Sequence, residues 1–358
     1  QMAGGYTGRV LFINLTTGSI EEESLPEKIY RDFIGGLGLG IRILYERMQP
    51  NVDPLGPDNM IGFVPGLLTG TRAPMALKCS LVTKSPLTNT WGDSNTGGLF
   101  GQELKSAGYD ALFFTGASAK PVYLLVQGGR VELRDATHLW GKDTYQTAEI
   151  MHREIGDRVR IVRIGPAGES CSLIASCVAD QGRVAARSGV GAVMGSKRLK
   201  AIAVRGTNQP EIANIRQFNE LRRNTLEHLR DVDHLLFIKQ LSAIGTCSNT
   251  GFLVPAGATP IKNWSLMGEE AFPDHPKING ENIVKYQSRK TGCGGCPINC
   301  GGVVNVRDKP YVVTEGRKPE YETVVSFGPM CLNSNVESII KANDICDRQG
   351  IDTISVGT

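Results

Sequence analysis

The run Arg9-Val-Leu-Phe-Ile-Asn-Leu15, followed by Thr16-Thr-Gly18, decides how the first half of the chain folds. Apolar and β-branched residues dominate the run, and the Thr-Thr-Gly sequence that ends it is typical of a turn, so the pattern predicts a strand. Further runs of this kind predict strands over residues 60–64, 77–83, 111–115, 122–126, 158–164 and 199–205. Gln127-Gly-Gly-Arg130 predicts a hairpin turn.

Two helices are predicted among these strands. The first covers residues 27–48, but four glycines between positions 35 and 40 predict a bend or close packing there. The second covers residues 144–155, with Thr144 as its cap and Gly156 as its stop. Residues 1–207 are therefore predicted to form a β-rich N-terminal domain.

The composition changes after Gly206. Residues 207–212 are predicted to form a linker, and residues 215–244 and 335–349 to form amphipathic helices. The apolar residues expected to be buried by the first of these segments are Leu221, Leu226, Leu229, Leu235, Leu236 and Ile238. Residues 208–358 are therefore predicted to form a mainly α-helical domain, and the chain as a whole an α+β fold.

Composition and charge exclude several functions. The 39 Lys and Arg residues nearly balance the 36 Asp and Glu residues among 358, which is not the basic character of a dedicated nucleic-acid binder. No apolar run approaches the roughly 18 residues of a membrane helix, and no signal peptide is recognised, so we expect no membrane partner and a cytoplasmic location.

Nine cysteines, an odd number, do not suggest a disulfide framework. Six of them are scattered and are interpreted as small buried apolar residues: Cys79, Cys171, Cys177, Cys247, Cys331 and Cys346.

Three stretches rich in glycine or small residues are expected in loops, at residues 69–74, 93–98 and 183–191. Each alone is typical of a tight turn. Together, with Arg and Asn among their residues, they favour anion binding by backbone N–H groups. Neither a dinucleotide-binding fingerprint nor a P-loop is present.

The segment Thr291-Gly-Cys-Gly-Gly-Cys-Pro-Ile-Asn-Cys-Gly-Gly302 carries the spacing Cys-x2-Cys-x3-Cys. Glycines let a short backbone arc wrap a compact metal centre. Zinc usually requires a second Cys/His pair, and none follows at a recognisable spacing. We favour an iron–sulfur cluster over zinc or inert thiols. The fourth ligand stays open, with Cys331, Cys346 or a residue outside this chain as candidates.

Two further motifs have ordinary structural interpretations. Lys318-Pro-Glu-Tyr-Glu322 is interpreted as a solvated helix start, and Asp347-Arg-Gln-Gly-Ile-Asp352 as a helix end capped by Gly350.

Taken together, these motifs resemble the tungsten-dependent aldehyde:ferredoxin oxidoreductase family over nearly the whole chain. The cysteine segment, Pro319-Glu-Tyr-Glu322 and the Asp-x-x-Gly-Ile-Asp motif occur in family order. The other segments that carry the resemblance are Thr83-Lys-Ser-Pro-Leu-Thr88, Phe100-Gly-x-Glu-Leu-Lys-x-Ala-Gly-Tyr-Asp110, Ile164-Gly-Pro-Ala-Gly-Glu169 and Gly189-Val-Gly-Ala-Val-Met-Gly-Ser-Lys197.

The resemblance implies a tungsten, or molybdenum, ion between two pyranopterins, beside one [4Fe–4S] cluster, with Mg²⁺ bridging the pterin phosphates. It implies oxidation of an aldehyde and water to a carboxylic acid, with electrons passing through the cluster to ferredoxin, and it leaves a homodimer open. The implied cluster ligands are Cys293, Cys296 and Cys300. Glu322 matches a carboxylate near the metal that would activate water or move protons. The implied pterin-binding residues are Lys78, Asn95, Gly97, Arg183, Val184, Ala186, Asp347, Ile351 and Asp352.

Departures from the family pattern also matter. Lys78 stands where an Arg is common, which keeps the charge but loses the planar fork. Lys341 replaces a Glu that binds a metal at the dimer interface in some members, so that metal is not expected here. The family pattern continues past Thr358 with its fourth cysteine, so we expect these 358 residues alone to have little or no activity.

Two other functions stay open. One is the tungsten subunit of a benzoyl-CoA-reductase-like complex, which would use the same site for reduction. The other is a non-catalytic iron–sulfur electron carrier.

Overall fold

A computed structural model describes residues 4–230 and 236–358. It divides into two compact units. The first contains the described residues of Gln1–Arg222 with Cys293–Gly295 and Arg348–Ile351. The second contains the described residues of Arg223–Gly292 with Cys296–Asp347 and Asp352–Thr358. The predicted boundary at residue 207 stays a prediction.

The first unit contains two six-stranded sheets. The strands of the first sheet are β1 (Arg9–Asn14), β2 (Ser19–Ser24), β3 (Ile61–Pro65), β4 (Cys79–Lys84), β5 (Trp91–Thr96) and β6 (Ala111–Thr115). Their order is β2-β1-β6-β3-β4-β5. Only β1 and β6 run parallel, and β5 is an edge strand paired to β4.

The strands of the second sheet are β7 (Val122–Gln127), β8 (Arg130–Asp135), β9 (Arg160–Arg163), β10 (Cys177–Ala179), β11 (Arg183–Ala185) and β12 (Leu199–Arg205). Their order is β11-β10-β9-β12-β7-β8, with β7 and β12 parallel. One buried cluster joins side chains of both sheets, among them Phe63 and Phe114 of the first and Leu124 and Ile202 of the second. The sheets therefore share a core.

Six α-helices lie wholly within the first unit: α1 (Glu27–Phe33), α2 (Leu37–Arg47), α3 (Phe100–Ser106), α4 (Thr144–Ile155), α5 (Pro166–Glu169) and α6 (Val190–Ser196). The predicted bend near residue 35 is confirmed, because α1 ends at Phe33 and α2 begins at Leu37. The predicted cap of α4 is wrong by one residue. Asp143, not Thr144, accepts a hydrogen bond from the Gln146 N–H and forms a capping box.

Helix α7 covers Ile215–Arg230, and the second unit continues with α8 (Leu236–Ala243), α9 (Thr250–Leu253), α10 (Gly280–Val284), α11 (Tyr321–Phe327), α12 (Val336–Gln349) and α13 (Thr353–Val356). Short 3-10 helices cover Thr137–Leu139, Thr246–Asn249, Glu269–Ala271, His275–Ile278 and Pro329–Cys331. An antiparallel sheet of β13 (Gln287–Thr291), β14 (Gly301–Val306) and β15 (Val313–Arg317) was not predicted, because its strands are short and its edge strand is polar.

The α+β class is confirmed, but several local predictions are wrong. Residues 93–98 are largely strand β5 rather than a loop, and residues 183–191 contain β11 and the start of α6. Strand β2 was not predicted, because three of its six residues, Ser-Ile-Glu-Glu-Glu-Ser, are acidic and only one is apolar. Cys331 is exposed and Cys171 is half-buried, so only four of the six scattered cysteines are buried.

The apolar residues of α7 and α8 are not buried as expected. Neither helix contains a buried residue, and Leu221 and Leu236 are exposed. Leu235 lies outside the described residues. In residues 4–230 and 236–358, no helix combines the length and the apolar character that crossing a membrane requires.

Candidate functional site

The turn after edge strand β5 carries the first group of predicted site residues. Asn95 is exposed near the end of the strand, and its side-chain oxygen accepts a hydrogen bond of 2.9 Å from Ser80 Oγ. Gly97 and Gly98 follow the strand, and Gly98 has a φ of +90° that favours glycine. The β4–β5 ladder thus sets the position of a glycine turn.

This turn lies against the first cysteine of the Cys-x2-Cys-x3-Cys segment. A Cβ atom at Gly97 would lie 2.8 Å from Cys293 Sγ, which no real side chain tolerates without a shift. The Gly294 N–H donates a 3.3 Å hydrogen bond to the Gly98 carbonyl. The structure therefore brings together a predicted pterin-binding residue and a predicted cluster ligand.

Strand β11 places Arg183 beside the same turn. Thr96 Oγ1 donates a 3.1 Å hydrogen bond to the Arg183 carbonyl. Arg183 Nη2 is buried and has no hydrogen-bond partner among the described residues. Val184 and Ala186 are half-buried next to it. A buried guanidinium nitrogen without an acceptor indicates a place for an anionic or acceptor-rich ligand.

Asp180, which the sequence analysis did not identify, binds the backbone directly after this turn. One carboxylate oxygen, Oδ2, accepts hydrogen bonds from the N–H groups of Leu99 (2.5 Å) and Phe100 (3.2 Å). Burial raises the pKa of Asp180, while the Leu99 N–H and nearby arginines lower it. No sequence motif predicts this contact, because Asp180 and Phe100 are 80 residues apart in the chain.

Lys78 stays near the start of β4, and its side chain is exposed. Its carbonyl accepts hydrogen bonds from the Gly66 N–H (3.2 Å) and from Thr69 Oγ1 (3.1 Å). These bonds fix the backbone at Lys78, while its side chain is exposed to solvent.

In the second unit, Asp347 is 2% exposed and lies 3.2 Å from Arg317 Nε through its Oδ2 atom. Asn343 Nδ2 donates to the same oxygen at 3.3 Å. Burial raises the pKa of Asp347, and Arg317 opposes that rise. Asp347 thus has one oxygen held by an arginine and an amide.

The remaining residues of this motif cap helices or pair with neighbouring backbone. Asp352 accepts hydrogen bonds from the N–H groups of Ile354 (3.1 Å) and Ser355 (3.3 Å), so it caps α13. Ile351, within the first unit, forms an antiparallel bridge with Ala175. Gly350, with a φ of +68°, ends α12 as predicted.

Cys296 and Cys300 lie in the connection between β13 and β14, and both are half-buried. In the part of the chain that the structure describes, no three His, Cys, Asp or Glu side chains form a ready-made metal site. The three-cysteine ligand set stays a prediction.

The interpretation of Lys318-Pro-Glu-Tyr-Glu322 as a solvated helix start is wrong at its beginning. Lys318 is only 4% exposed and Pro319 is buried, because the chain passes from β15 into the interior before α11 begins. Glu322 is exposed in the first turn of α11. Its predicted catalytic role is not tested by its surroundings.

Comparison with known proteins identifies the class to which this fold and these residues belong. The N-terminal domain profile of aldehyde ferredoxin oxidoreductase matches residues 10–206, and the profile of its domains 2 and 3 matches residues 224–358. The chain therefore belongs to the aldehyde ferredoxin oxidoreductase family.

Individual relatives agree with this membership. The chain is 40% identical over 355 residues to the tungsten-containing aldehyde ferredoxin oxidoreductase of Pyrococcus furiosus, covering 99% of this chain and 57% of that protein. It is 41% identical to the enzyme of the same name from Thermococcus kodakarensis, with the same coverage. The chain thus spans a little over half the length of these relatives.

A solved structure has the same fold. The active-site complex BamBC of benzoyl coenzyme A reductase, bound to 1,5-dienoyl-CoA, matches with a TM-score of 0.84 at 28% identity. The match covers 98% of this chain and 54% of that chain.

Proposed function

We propose that the protein containing this chain oxidises an aldehyde and water to a carboxylic acid at a tungsten, or molybdenum, bis-pyranopterin centre. Electrons would leave through a [4Fe–4S] cluster to ferredoxin. One observation carries the proposal: Gly97, matched to a pterin-binding position, is in contact with Cys293, matched to a cluster ligand. A pterin and a cluster held by these two residues would be neighbours.

The residues of the first unit suit a pterin. Gly97 and Gly98 expose their backbone at positions where a Cβ atom would collide with Cys293 and with Asp180, respectively. The unpartnered Arg183 Nη2 supplies a donor for a phosphate or a ring acceptor. Exposed Asn95 and Lys78 add polar groups, and a Mg²⁺ ion bound with the pterin would supply further positive charge for its phosphates.

When bound, the tungsten pterin would supply two-electron oxidation, and the cluster would pass the electrons on singly. The chain's own residues would hold and orient these groups. Cys293, Cys296 and Cys300 are the proposed cluster ligands. Asp347, held by Arg317, would accept a pterin ring N–H, and Ile351 and Asp352 would fix the backbone beside it. Glu322 is exposed and would hold or move a proton at its carboxylate.

Anaerobically purified full-length protein tests the reaction. We expect tungsten or molybdenum together with iron and acid-labile sulfide, and reduction of benzyl viologen by members of an aldehyde panel. A protein with metals but no turnover on any aldehyde would refute aldehyde oxidation. Iron without tungsten or molybdenum would instead support the electron-carrier function.

A serine substitution tests the cluster. Cys296→Ser removes a proposed ligand, so iron and sulfide should fall sharply. Cys171→Ser is the matched control, because Cys171 is a half-buried cysteine that lies outside the motif and is not among the candidate ligands. Equal iron in both variants and the wild type would refute the ligand assignment.

The second candidate is a reductase subunit, which the benzoyl-CoA reductase match favours. The higher identity to the aldehyde enzymes, 40% against 28%, supports aldehyde oxidation as the first candidate. Turnover of an aromatic acyl-CoA by the metal-loaded protein, without turnover of aldehydes, would select this candidate.

A further inference from the structure

Lys318 is a buried cation that the proposed reaction does not use. It follows β15 directly and is 4% exposed. Its backbone N–H donates a 2.8 Å hydrogen bond to the carbonyl of Gly302, two residues after Cys300. The backbone at Lys318 is therefore attached to the end of the cysteine segment.

The ammonium group of Lys318 lies near the backbone of Cys300, the last cysteine of this segment. It donates a hydrogen bond to the Ile244 carbonyl. A Cβ atom at Gly245 would lie 2.6 Å from the Cys300 carbonyl oxygen and 2.7 Å from Lys318 Nζ. The Lys318 ammonium and the Cys300 carbonyl oxygen thus both border the Cβ position of Gly245, whose φ of +96° and tight surroundings exclude a side chain.

The described residues give this ammonium no carboxylate within ion-pairing distance. Glu320 contributes from a distance, but its carboxylate accepts a hydrogen bond from Thr246 Oγ1 and lies 4.0 Å from Arg317. Burial lowers the pKa of Lys318, while the negative charges of Cys247, Glu320 and Cys300 oppose that effect. Lys290 adds repulsion.

A buried ammonium without a contacting counter-ion is unfavourable unless negative charge lies nearby. Cys247 is a weak source of such charge, because burial raises the pKa of its thiol to about 12. A cysteine that ligates a metal, by contrast, is a thiolate at any ordinary pH. The negative charge that Lys318 requires is therefore supplied best by a metal centre bound through Cys300.

We propose that Lys318 tunes the iron–sulfur cluster, with its buried ammonium acting as the counter-charge of the cluster-bound Cys300 thiolate. This inference rests on the proposed function, in which the cysteine segment holds the cluster. A fixed positive charge stabilises the reduced, more negative cluster, so Lys318 raises the reduction potential. Lys318 touches neither substrate nor pterin in this proposal.

Lys290 provides a matched control within the same unit. It lies on edge strand β13, three residues before Cys293, and it is exposed. Its ammonium donates a 2.6 Å hydrogen bond to the Ser242 carbonyl. The two lysines thus flank the same segment, but solvent and salt screen Lys290 far more than Lys318.

The experiment is a potentiometric titration of the cluster, followed by EPR, in the full-length holoprotein. Lys318→Met should move the reduction potential to a more negative value, and Lys318→Arg should keep most of the wild-type potential. Lys290→Met should produce a smaller shift that disappears at high salt, whereas the Lys318→Met shift should persist.

Each outcome decides the proposal. A Lys318→Met protein with wild-type iron and an unchanged potential overturns it. If Lys318→Met fails to retain iron, restored iron in Lys318→Arg supports the need for a positive charge, and loss in both variants overturns it. Wild-type protein without a cluster would instead refute the proposed function.

Discussion

Strand β3 in the first unit is buried at all five positions, whereas helix α8 in the second unit buries none of its eight. The first unit presents its predicted site residues from backbone fixed by a sheet ladder, as at Asn95 and Gly97. The second unit relies on buried charges, as at Asp347 and Lys318. The difference teaches that the two units position their predicted site residues by different means: the first by a sheet ladder, the second by buried charged side chains.

The largest expected effect is that of a substitution in the glycine turn of the first unit. Gly97→Ala would place a Cβ 2.8 Å from Cys293 Sγ, so the turn or the cysteine must move. A shift of Cys293 approaching about 1 Å is expected to lower turnover about a hundredfold. Aldehyde-dependent viologen reduction and iron content of full-length protein measure it.

Gly66→Ala is the control for this substitution. Its Cβ would meet Thr69 Oγ1 at 3.4 Å, an ordinary contact, so activity should stay close to that of the wild type. Equal activity of both variants would show that the turn does not set the position of Cys293.

A pair of leucine substitutions, one in each unit, tests the difference in burial and is expected to have an intermediate effect. Leu124 of β7 is fully buried and Leu236 of α8 is 70% exposed. Leu124→Ala is expected to lower the free energy of unfolding by about 2–5 kcal/mol. Leu236→Ala is expected to change it by no more than about 0.5 kcal/mol. Urea unfolding of the full-length protein measures both, and a similar loss for the two would mean that α8 is covered in that protein.

The smallest effect concerns a buried lysine of the first unit. Lys197 Nζ donates to the carbonyls of Gly116 (3.1 Å) and Pro57 (3.2 Å), and burial lowers its pKa from 10.5 to about 8. Between these pH values the unfolded chain binds more protons than the folded one, so this lysine makes stability rise with pH.

Lys197→Met should remove that contribution, and the rise in unfolding free energy from pH 8 to 10 should become shallower. Thermal or urea unfolding across this range measures the slope. Identical slopes for the variant and the wild type would contradict the lowered pKa.

Much of the fold could be predicted from local patterns. The strand at 111–115, the helix at 144–155 and the strand at 199–205 agree with the structure at both ends. Their apolar periodicity reflects burial, which dominates local preference in a large core. Strand β5 could not be predicted this way. Its sequence, Trp-Gly-Asp-Ser-Asn-Thr, lacks apolar alternation, and pairing with β4 makes it a strand.

Some residues of the candidate site could be predicted from the sequence, and others could not. The cysteine spacing, the glycines at 97–98 and the Asp347 motif are visible in the sequence. The cysteine and Asp347 motifs are among the segments that carry the family resemblance, and the comparisons confirm the family. Asp180 and the buried state of Lys318 are not visible, because both depend on contacts with residues about 70 or more positions away.

The sequence by itself determined the family, through the resemblance of its motifs, and the α+β class, through the strand and helix patterns of its two halves. Only the tertiary structure decided that Gly97 touches Cys293, that Asp180 holds the turn and that Lys318 is buried beside Cys300. The physical reason is that burial and hydrogen bonding between distant segments depend on how sheets and loops pack, which no local pattern encodes.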